Sequence, residues 1–229
     1  MARSLTLEVH LQMTLGMSTD SAGCFDALAS DSRWHTFTVE ERCRVDAFVR
    51  RWGIKTGDRV LEPGCGSGRL TVILAELTGP TGRVTAFDCS TKLLCLAAHR
   101  RLPPHVDLHA AWAEDMSLAP ESFDHIVCFN VFPHLVPQAV IARRLAMALR
   151  PGGTFWIAHT GSRATINAAH RGGPSVLHEH ILPAPWKLAR LLRGAGLKEV
   201  EIEDAANHFL ARAVRFISDA TIPHDASNV

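Results

Sequence analysis

The chain contains the segment Val60-Leu61-Glu62-Pro63-Gly64-Cys65-Gly66-Ser67-Gly68-Arg69-Leu70, from which its fold class can be predicted. A short apolar strand ends there in an acidic residue, three closely spaced glycines follow, and apolar residues at helical spacing come after them. Glycine permits a tight turn and a close approach of a ligand to the backbone, because it has no Cβ. The helix N-terminus also offers free N–H donors. The stretch therefore predicts a ligand-binding loop between a strand and a helix.

The spacing of the glycines distinguishes between nucleotide ligands. A dinucleotide fingerprint, G-x-G-x-x-G, would have its third glycine where this chain has Arg69. Glu62, two residues before the first glycine, would repel a pyrophosphate but attract a cationic amine. S-adenosylmethionine has such an amine and no phosphate, so the loop favours it. A purely structural turn and a nicotinamide-dependent oxidoreductase are the alternatives.

Strand and helix patterns alternate along most of the chain. Strands are predicted near 59–61, 83–87, 106–110, 123–129, 154–159, 198–203 and 208–216, and helices near 40–52, 70–77, 91–101, 138–149 and 186–195. This order predicts an α/β fold with a doubly wound, mainly parallel sheet of seven strands. The last two strands are joined by too few residues for a parallel crossover, so they should form an antiparallel hairpin at the end of the sheet.

The chain of 229 residues is long enough for one large domain. We expect an N-terminal tail or lid at 1–38, a ligand-binding domain at 39–217 and a C-terminal tail at 218–229. Residues 160–184 are rich in Gly, His and Pro and predict a long irregular insert in that domain.

Composition excludes several classes of partner. With 24 basic and 23 acidic residues the net charge is +1, so no basic field attracts a nucleic acid. No apolar run reaches the ~18–20 residues of a membrane span, and the first residues lack the pattern of a secretory signal. We expect a cytoplasmic protein, monomeric or homodimeric, that acts on a small molecule without a nucleic acid or a membrane. Six cysteines without a C-x-x-C pair are expected to be mostly buried, reduced thiols.

An acidic residue also ends the second predicted strand. Asp88 follows the glycine loop by roughly 20 positions, the spacing of a carboxylate that binds both ribose hydroxyls. The alternative is that Asp88 caps the helix beginning near Thr91, although Ser90 could do so instead.

Four segments together resemble the class I S-adenosylmethionine-dependent methyltransferase family. They are VLEPGCGSGRLT (60–71), VTAFDCS (84–90), AEDMSLAPESFDHIVCFNVF (113–132) and LRPGGTFWIAHT (149–160). The resemblance covers about 40–216. It implies a Rossmann-like sheet whose last strand is antiparallel, and S-adenosylmethionine as cofactor.

The resemblance also implies a set of cofactor-binding residues. Glu62 and the glycines would surround the methionine and sugar portions, and Asp88 would bind the ribose. Many relatives have an aspartate where this chain has Trp112, which leaves open whether an acid meets the adenine or Trp112 stacks on it. The full set is Glu62, Gly64, Gly66, Gly68, Asp88, Cys89, Trp112, Ala113, Glu114, Phe129 and Asn130.

Residues after the fourth and fifth strands are candidates for catalysis, because ligands of such sheets bind outside the carboxyl ends of the strands. His134 and His159 lie there, and a neutral imidazole can take a proton from an attacking hydroxyl, thiol or ring nitrogen. Predicted substrate contacts are Phe132, Arg163, Asn167, His170 and His178. Trp34 and His35 could form a lid over the cofactor or part of the core.

Three interpretations of the histidines remain open. In the first, His134 or His159 is a catalytic base. Alternatively, His134, His159, His170 and His178 hold a divalent metal, or they are ordinary polar loop residues. The sequence thus predicts methyl transfer from S-adenosylmethionine to a small molecule, with a histidine as base. A metal-binding methyltransferase or a non-catalytic S-adenosylmethionine-binding protein is the alternative.

Overall fold

The computed structural model describes residues 19–216, and seven strands in this part of the chain form one sheet. The order across the sheet is β3-β2-β1-β4-β5-β7-β6. The strands are β1 (Arg59–Pro63), β2 (Arg83–Asp88), β3 (Val106–Ala110), β4 (Phe123–Phe129), β5 (Leu149–His159), β6 (Leu197–Asp204) and β7 (Phe209–Arg215). β1 to β5 are parallel where they pair, and β7 runs antiparallel to both β5 and β6. The predicted fold class and its terminal hairpin are confirmed.

Helices cover both faces of this sheet. They are α1 (Thr19–Leu28), α2 (Val39–Trp52), α3 (Arg69–Thr78), α4 (Thr91–Ala98), α5 (Gln138–Ala148), α6 (Arg163–Gly172) and α7 (Pro185–Gly194). Short 3-10 turns occupy Ser32–Trp34, Phe132–His134 and Ser175–Leu177. α2 begins with a capping box between Thr38 and Glu41 and ends at Gly53.

Two apolar cores, one on each face of the sheet, follow from the alternation of side chains along the strands. In β4, Ile126 and Cys128 pack in the core with α5 and α7, whereas Val127 and Phe129 pack in the core with α2 and α3. A strand buried on both faces needs apolar residues at nearly every position, which is why Phe123–Phe129 is almost continuously apolar.

Two regions differ from the prediction. The stretch 160–184, expected to be irregular, contains α6, whose first turn is capped by Ser162 through the N–H of Thr165 at 3.1 Å. Residues 1–38, expected to be a loose tail or lid, contain α1. Both helices are weakly marked in the sequence, because contacts with the rest of the domain, rather than a wide apolar stripe, hold them.

Residues 1–18 of the predicted N-terminal tail and the whole predicted C-terminal tail lie outside the described residues. Within residues 19–216 no helix is long and apolar enough to cross a membrane.

Candidate active site

A pocket opens at the carboxyl ends of the parallel strands, where β1 and β4 lie side by side. The chain leaves β1 towards β2 on one side, while β4 lies on the other, so this is the switch point at which such sheets bind ligands. All of the predicted cofactor residues except Gly68 line the pocket. They come from the carboxyl ends of β1, β2 and β4 and from the segments that follow β1 to β4.

Two of the three loop glycines have neighbouring side chains that leave no room for a Cβ. Gly64 has φ +66°, and a Cβ there would collide with the side chain of Val131. Gly68 has φ +74°, and a Cβ there would lie 2.9 Å from Cβ of Ala97 in α4. Gly68 therefore lets the end of the glycine loop lie against α4, and it does not line the pocket in which its cofactor role was predicted.

Glu62 places a buried carboxyl group at the base of the pocket. Its side chain is 2% exposed and accepts a hydrogen bond from Oγ1 of Thr71 at 2.7 Å. Burial, assisted by the charge of Asp88, raises the pKa of Glu62 to about 8. A bound cation would restore the charged form, so the chemistry of this group suits an amine and opposes a phosphate.

Asp88 is held by the backbone on two sides. Its oxygens accept hydrogen bonds from the N–H of Gly66 at 2.8 Å and from the N–H of Ser90 at 2.9 Å. Burial raises the pKa of Asp88. The cap of α4 is Ser90, whose Oγ accepts from the N–H of Leu93 at 3.2 Å. The capping alternative for Asp88 is thus removed, and its carboxylate lies in the pocket wall.

These groups fit S-adenosylmethionine. Glu62 suits the amine, Asp88 suits the ribose hydroxyls, and Trp112 lies in the same pocket wall. A Cβ on Gly66 would meet only Leu93, at 4.0 Å, so the backbone there is open to a ligand.

The N-terminal segment forms one wall of the pocket. Trp34, Phe25 and Leu28 line it, and the last two were missed by the sequence analysis. Ser67 Oγ donates to the carbonyl of Trp34 at 2.7 Å, which fastens this segment to the glycine loop. The spacing of Phe25 and Leu28, three residues apart on a helix, was the only sequence signal for them.

The two candidate bases occupy different environments. His134 lines the pocket, whereas His159 does not. His159 is 2% exposed, packs edge-on against Phe209, and its buried Nε2 has no hydrogen-bond partner within residues 19–216. Burial, together with the charge of His170, lowers the pKa of both His134 and His159 to about 3.

His134 belongs to a group of rings that the sequence did not bring together. Its Nδ1 lies 2.9 Å from Nδ1 of His180, and its ring centroid lies 4.7 Å from that of His170. Phe25 of α1 meets it edge-on at 5.1 Å. His180 was not among the predicted site residues, and its place in the histidine-rich insert 160–184 was the sequence signal that could have found it.

The metal alternative finds no support in the described part of the chain. No group of three or more His, Cys, Asp or Glu side chains between residues 19 and 216 has an arrangement that could hold a metal ion. His178 lies apart from the other rings, exposed, with Nε2 3.0 Å from the carbonyl oxygen of Gly173.

The residues predicted to contact substrate lie outside the pocket lining. Phe132 is fully buried in the core, and Arg163 forms an ion pair with Asp204 at 2.6 Å. Both amide atoms of Asn167 bind the backbone of Leu182, at 2.8 and 3.0 Å. His170 and His178 are likewise absent from the lining. None of these five side chains lines the pocket, and Asn167 instead joins two parts of the insert.

The expectation of buried cysteines holds for only part of the set. Cys65 and Cys128 are buried, and burial raises the pKa of both thiols, so they are neutral packing groups. Cys43 and Cys95 are exposed, because they lie on outward faces of α2 and α4.

Asn130 joins the ends of β4 and β5. Its backbone has φ +53°, a conformation that asparagine tolerates better than most residues. Its side-chain oxygen accepts from the N–H of Thr160 at 3.0 Å. The predicted cofactor residue at the end of β4 is thus fixed in position by the neighbouring strand.

Known proteins similar to this chain point to one family. A family model described as a methyltransferase domain matches residues 60–153. A ubiquinone biosynthesis O-methyltransferase of Burkholderia pseudomallei is 29% identical over 178 residues, covering 72% of this chain and 75% of the relative. One of the same name from Xanthomonas euvesicatoria is 32% identical over 164 residues, covering 66% and 65%.

The fold agrees with solved structures. A SAM-dependent methyltransferase from Aquifex aeolicus has a TM-score of 0.63 at 20% identity, covering 85% of this chain and 98% of its own. The matched segment contains β1 to β4 and the glycine loop, the same elements that build the pocket. Residues 60–153 thus match the methyltransferase-domain family, and the chain has the fold of S-adenosylmethionine-dependent methyltransferases.

Proposed function

We propose that this methyltransferase transfers the methyl group of S-adenosylmethionine to a hydroxyl oxygen of a small aromatic acceptor, with His134 taking up the proton. The observation that carries the proposal is that His134 lines the same pocket as Glu62 and Asp88. The O-methyltransferase names of the relatives support oxygen as the accepting atom.

An aromatic acceptor is supported by the apolar side chains around His134. Phe25, Leu28, Val131 and Leu135 line the pocket together with it. Such a wall favours a ring over a charged molecule and excludes water from the reacting atoms. A hydroxyl on the ring would be the polar group that His134 recognises.

Cofactor binding is assigned to this chain's acidic and aromatic groups. Glu62 would hold the amine of the methionine portion, Asp88 the ribose hydroxyls, and Trp112 the face of the adenine. The cofactor supplies, when bound, a methyl group already activated by its sulfonium. The protein's own task is to align the acceptor and to move one proton.

His134 suits this task because it is neutral at pH 7, its pKa being lowered by burial. A hydroxyl oxygen becomes strongly acidic as it bonds to the methyl group, so even a weakly basic imidazole accepts its proton late in the step. His159 is the second candidate, and its absence from the pocket lining counts against it.

We infer the same domain organisation that the sequence predicted. Residues 39–217 are the methyltransferase domain, 1–38 a lid, and 160–184 the insert that shapes the acceptor side. Phe25 and Trp34 in the pocket wall support the lid, and His180 beside His134 supports the insert. We also propose a cytoplasmic monomer or homodimer that acts without nucleic acid, and the net charge of +1 supports the last of these points.

The test combines binding with product analysis. Calorimetry should detect S-adenosylmethionine and not NAD, and mass spectrometry should find a labelled methyl group on an oxygen of catechol. Aniline is the nitrogen control. His134→Gln should lower kcat by about 10²- to 10⁴-fold without weakening cofactor binding, whereas His178→Gln, an exposed histidine, should behave as wild type.

Other results would overturn the proposal. Cofactor binding without methylation of any of a panel of phenols would favour a non-catalytic binding protein. Methylation of aniline alone would move the accepting atom to nitrogen. Equal rates for His134→Gln and His178→Gln would remove His134 as the base.

A further inference from the structure

The contact between His134 and His180 constrains where the protons lie. The two Nδ1 atoms are 2.9 Å apart, a hydrogen-bonding distance. Burial lowers the pKa of both imidazoles, so both are neutral near pH 7. Two neutral rings in this contact share a single proton: one Nδ1 carries it and donates, and the other accepts with its lone pair.

The direction of this hydrogen bond decides what His134 can do. If Nδ1 of His134 carries the proton, its Nε2 has a lone pair and can take the proton of the hydroxyl that is to be methylated. If Nδ1 of His180 carries the proton, Nε2 of His134 is itself protonated and cannot act as a base. The orientation of the pair is therefore a condition for catalysis.

We propose that His180 is a positioning residue that accepts the hydrogen bond from Nδ1–H of His134 and thereby keeps the lone pair of His134 at Nε2. The inference rests on the proposed function and names a partner for its base. The acceptor's hydroxyl proton passes to Nε2 of His134 as the oxygen–methyl bond forms. The resulting imidazolium keeps its Nδ1–H bond to His180, which strengthens because the donor is then charged.

The backbone of His180 is fixed by three side chains from two helices. Nδ1 of His170 contacts the carbonyl oxygen of His180, and Nε2 of Gln138 donates to the carbonyl of Ile181 at 2.9 Å. Asn167 binds both the N–H and the carbonyl of Leu182. His170 and Asn167 of the insert therefore help to position His180, although neither of them lines the pocket.

The groups around His134 make the tautomer especially dependent on His180. The titratable side chains that face it are His170 of α6, His180 and His159 of β5, and Phe25 of α1 closes another side. No carboxylate forms an ion pair with His134 within residues 19–216. A neutral hydrogen-bond acceptor such as His180 orients the ring of His134 without raising the pKa of that ring, whereas a carboxylate partner would raise it.

The tautomer can be measured without any acceptor molecule. In protein with ¹⁵N-labelled histidine and bound S-adenosylhomocysteine, long-range ¹H–¹⁵N spectra should show His134 protonated at Nδ1 and bare at Nε2. His134→Gln assigns the signals. His180→Leu should shift His134 towards the Nε2–H tautomer that histidine favours in water. An Nε2–H tautomer in the wild type, or no change in His180→Leu, would overturn the inference.

Kinetics separate positioning from a merely structural role. Asparagine can place an oxygen near the position of Nδ1, so His180→Asn should retain most of kcat, whereas His180→Leu should lose about 10- to 100-fold. KM should change little. His178→Leu, two residues away and exposed, is the matched control. Equal losses in His180→Asn and His180→Leu would contradict the inference.

The two proposals can fail separately. If His134 carries its proton at Nδ1 but no phenol is methylated, the proposed reaction fails while the positioning by His180 stands. If phenols are methylated and His134 is required, but His180→Leu leaves rate and tautomer unchanged, only the inference about His180 fails.

Discussion

The carboxylate of Asp88 accepts a hydrogen bond from the backbone N–H of Gly66 at 2.8 Å, which joins the end of β2 to the glycine loop after β1. A second hydrogen bond, from the N–H of Ser90, fixes the other oxygen. The ribose-binding carboxylate that we propose is thus oriented by the protein before a ligand arrives, which lowers the entropy lost on binding.

Asp88→Asn should weaken binding of S-adenosylmethionine by about 10- to 100-fold, because an amide replaces one charged acceptor. Asp107→Asn is the control, since Asp107 forms an exposed ion pair with Arg83 on neighbouring strands. Calorimetry with both variants checks the prediction. Equal affinities would remove Asp88 from the cofactor site.

Binding of S-adenosylmethionine near pH 7 should release up to about one proton. The pKa of Glu62 is raised to about 8, so the free protein holds this carboxyl largely protonated, and a bound amine favours the carboxylate. Calorimetry in buffers of different ionisation enthalpy measures the count. The release should shrink above about pH 9 and vanish in Glu62→Gln; a binding enthalpy independent of buffer would refute it.

Gly68→Ala should destabilise the fold more than Gly152→Ala. Both glycines have positive φ, but only at Gly68 would the new Cβ meet another helix, 2.9 Å from Cβ of Ala97. The backbone strain of about 1–2 kcal/mol is common to both, and overpacking adds about 1–3 kcal/mol at Gly68. Urea unfolding of the two variants measures the difference, and similar midpoints would contradict the prediction.

Stability should fall in acid because of the buried histidines. The pKa of His134 and of His159 is about 3 in the folded protein, against an ordinary 6.5. Between these values the unfolded chain binds more protons, so their contribution is complete above about pH 6.5 and is lost as the pH falls towards 3.

His159→Phe should reduce this loss by about 2 kcal/mol between pH 7 and pH 5, with His178→Gln as the control. Urea unfolding at the two pH values gives the comparison. Glu62 acts in the opposite direction, because its raised pKa makes the folded state gain stability as the pH falls from about 8. Glu62 is present in both the wild type and His159→Phe, so its contribution cancels when their stabilities are subtracted. Identical pH slopes for His159→Phe and wild type would refute the prediction.

The fold was predictable because its determinants are local. Apolar runs such as Phe123–Phe129 indicate that a strand is buried on both faces, and the three glycines after β1 indicate a tight turn. α6 was missed because the residues that hold it, such as Asn167, are polar and find their partners 15 residues away.

By itself the sequence determined the order of strands and helices, the glycine loop and the two acidic residues at the ends of β1 and β2, since each is a property of neighbouring residues. Three other facts come from the folded chain: Gly68 lies against α4, His134 and not His159 lines the pocket, and His180 meets His134. The first and the last of them join residues 29 and 46 positions apart, and periodicity along a chain carries no information about which distant groups a fold brings into contact.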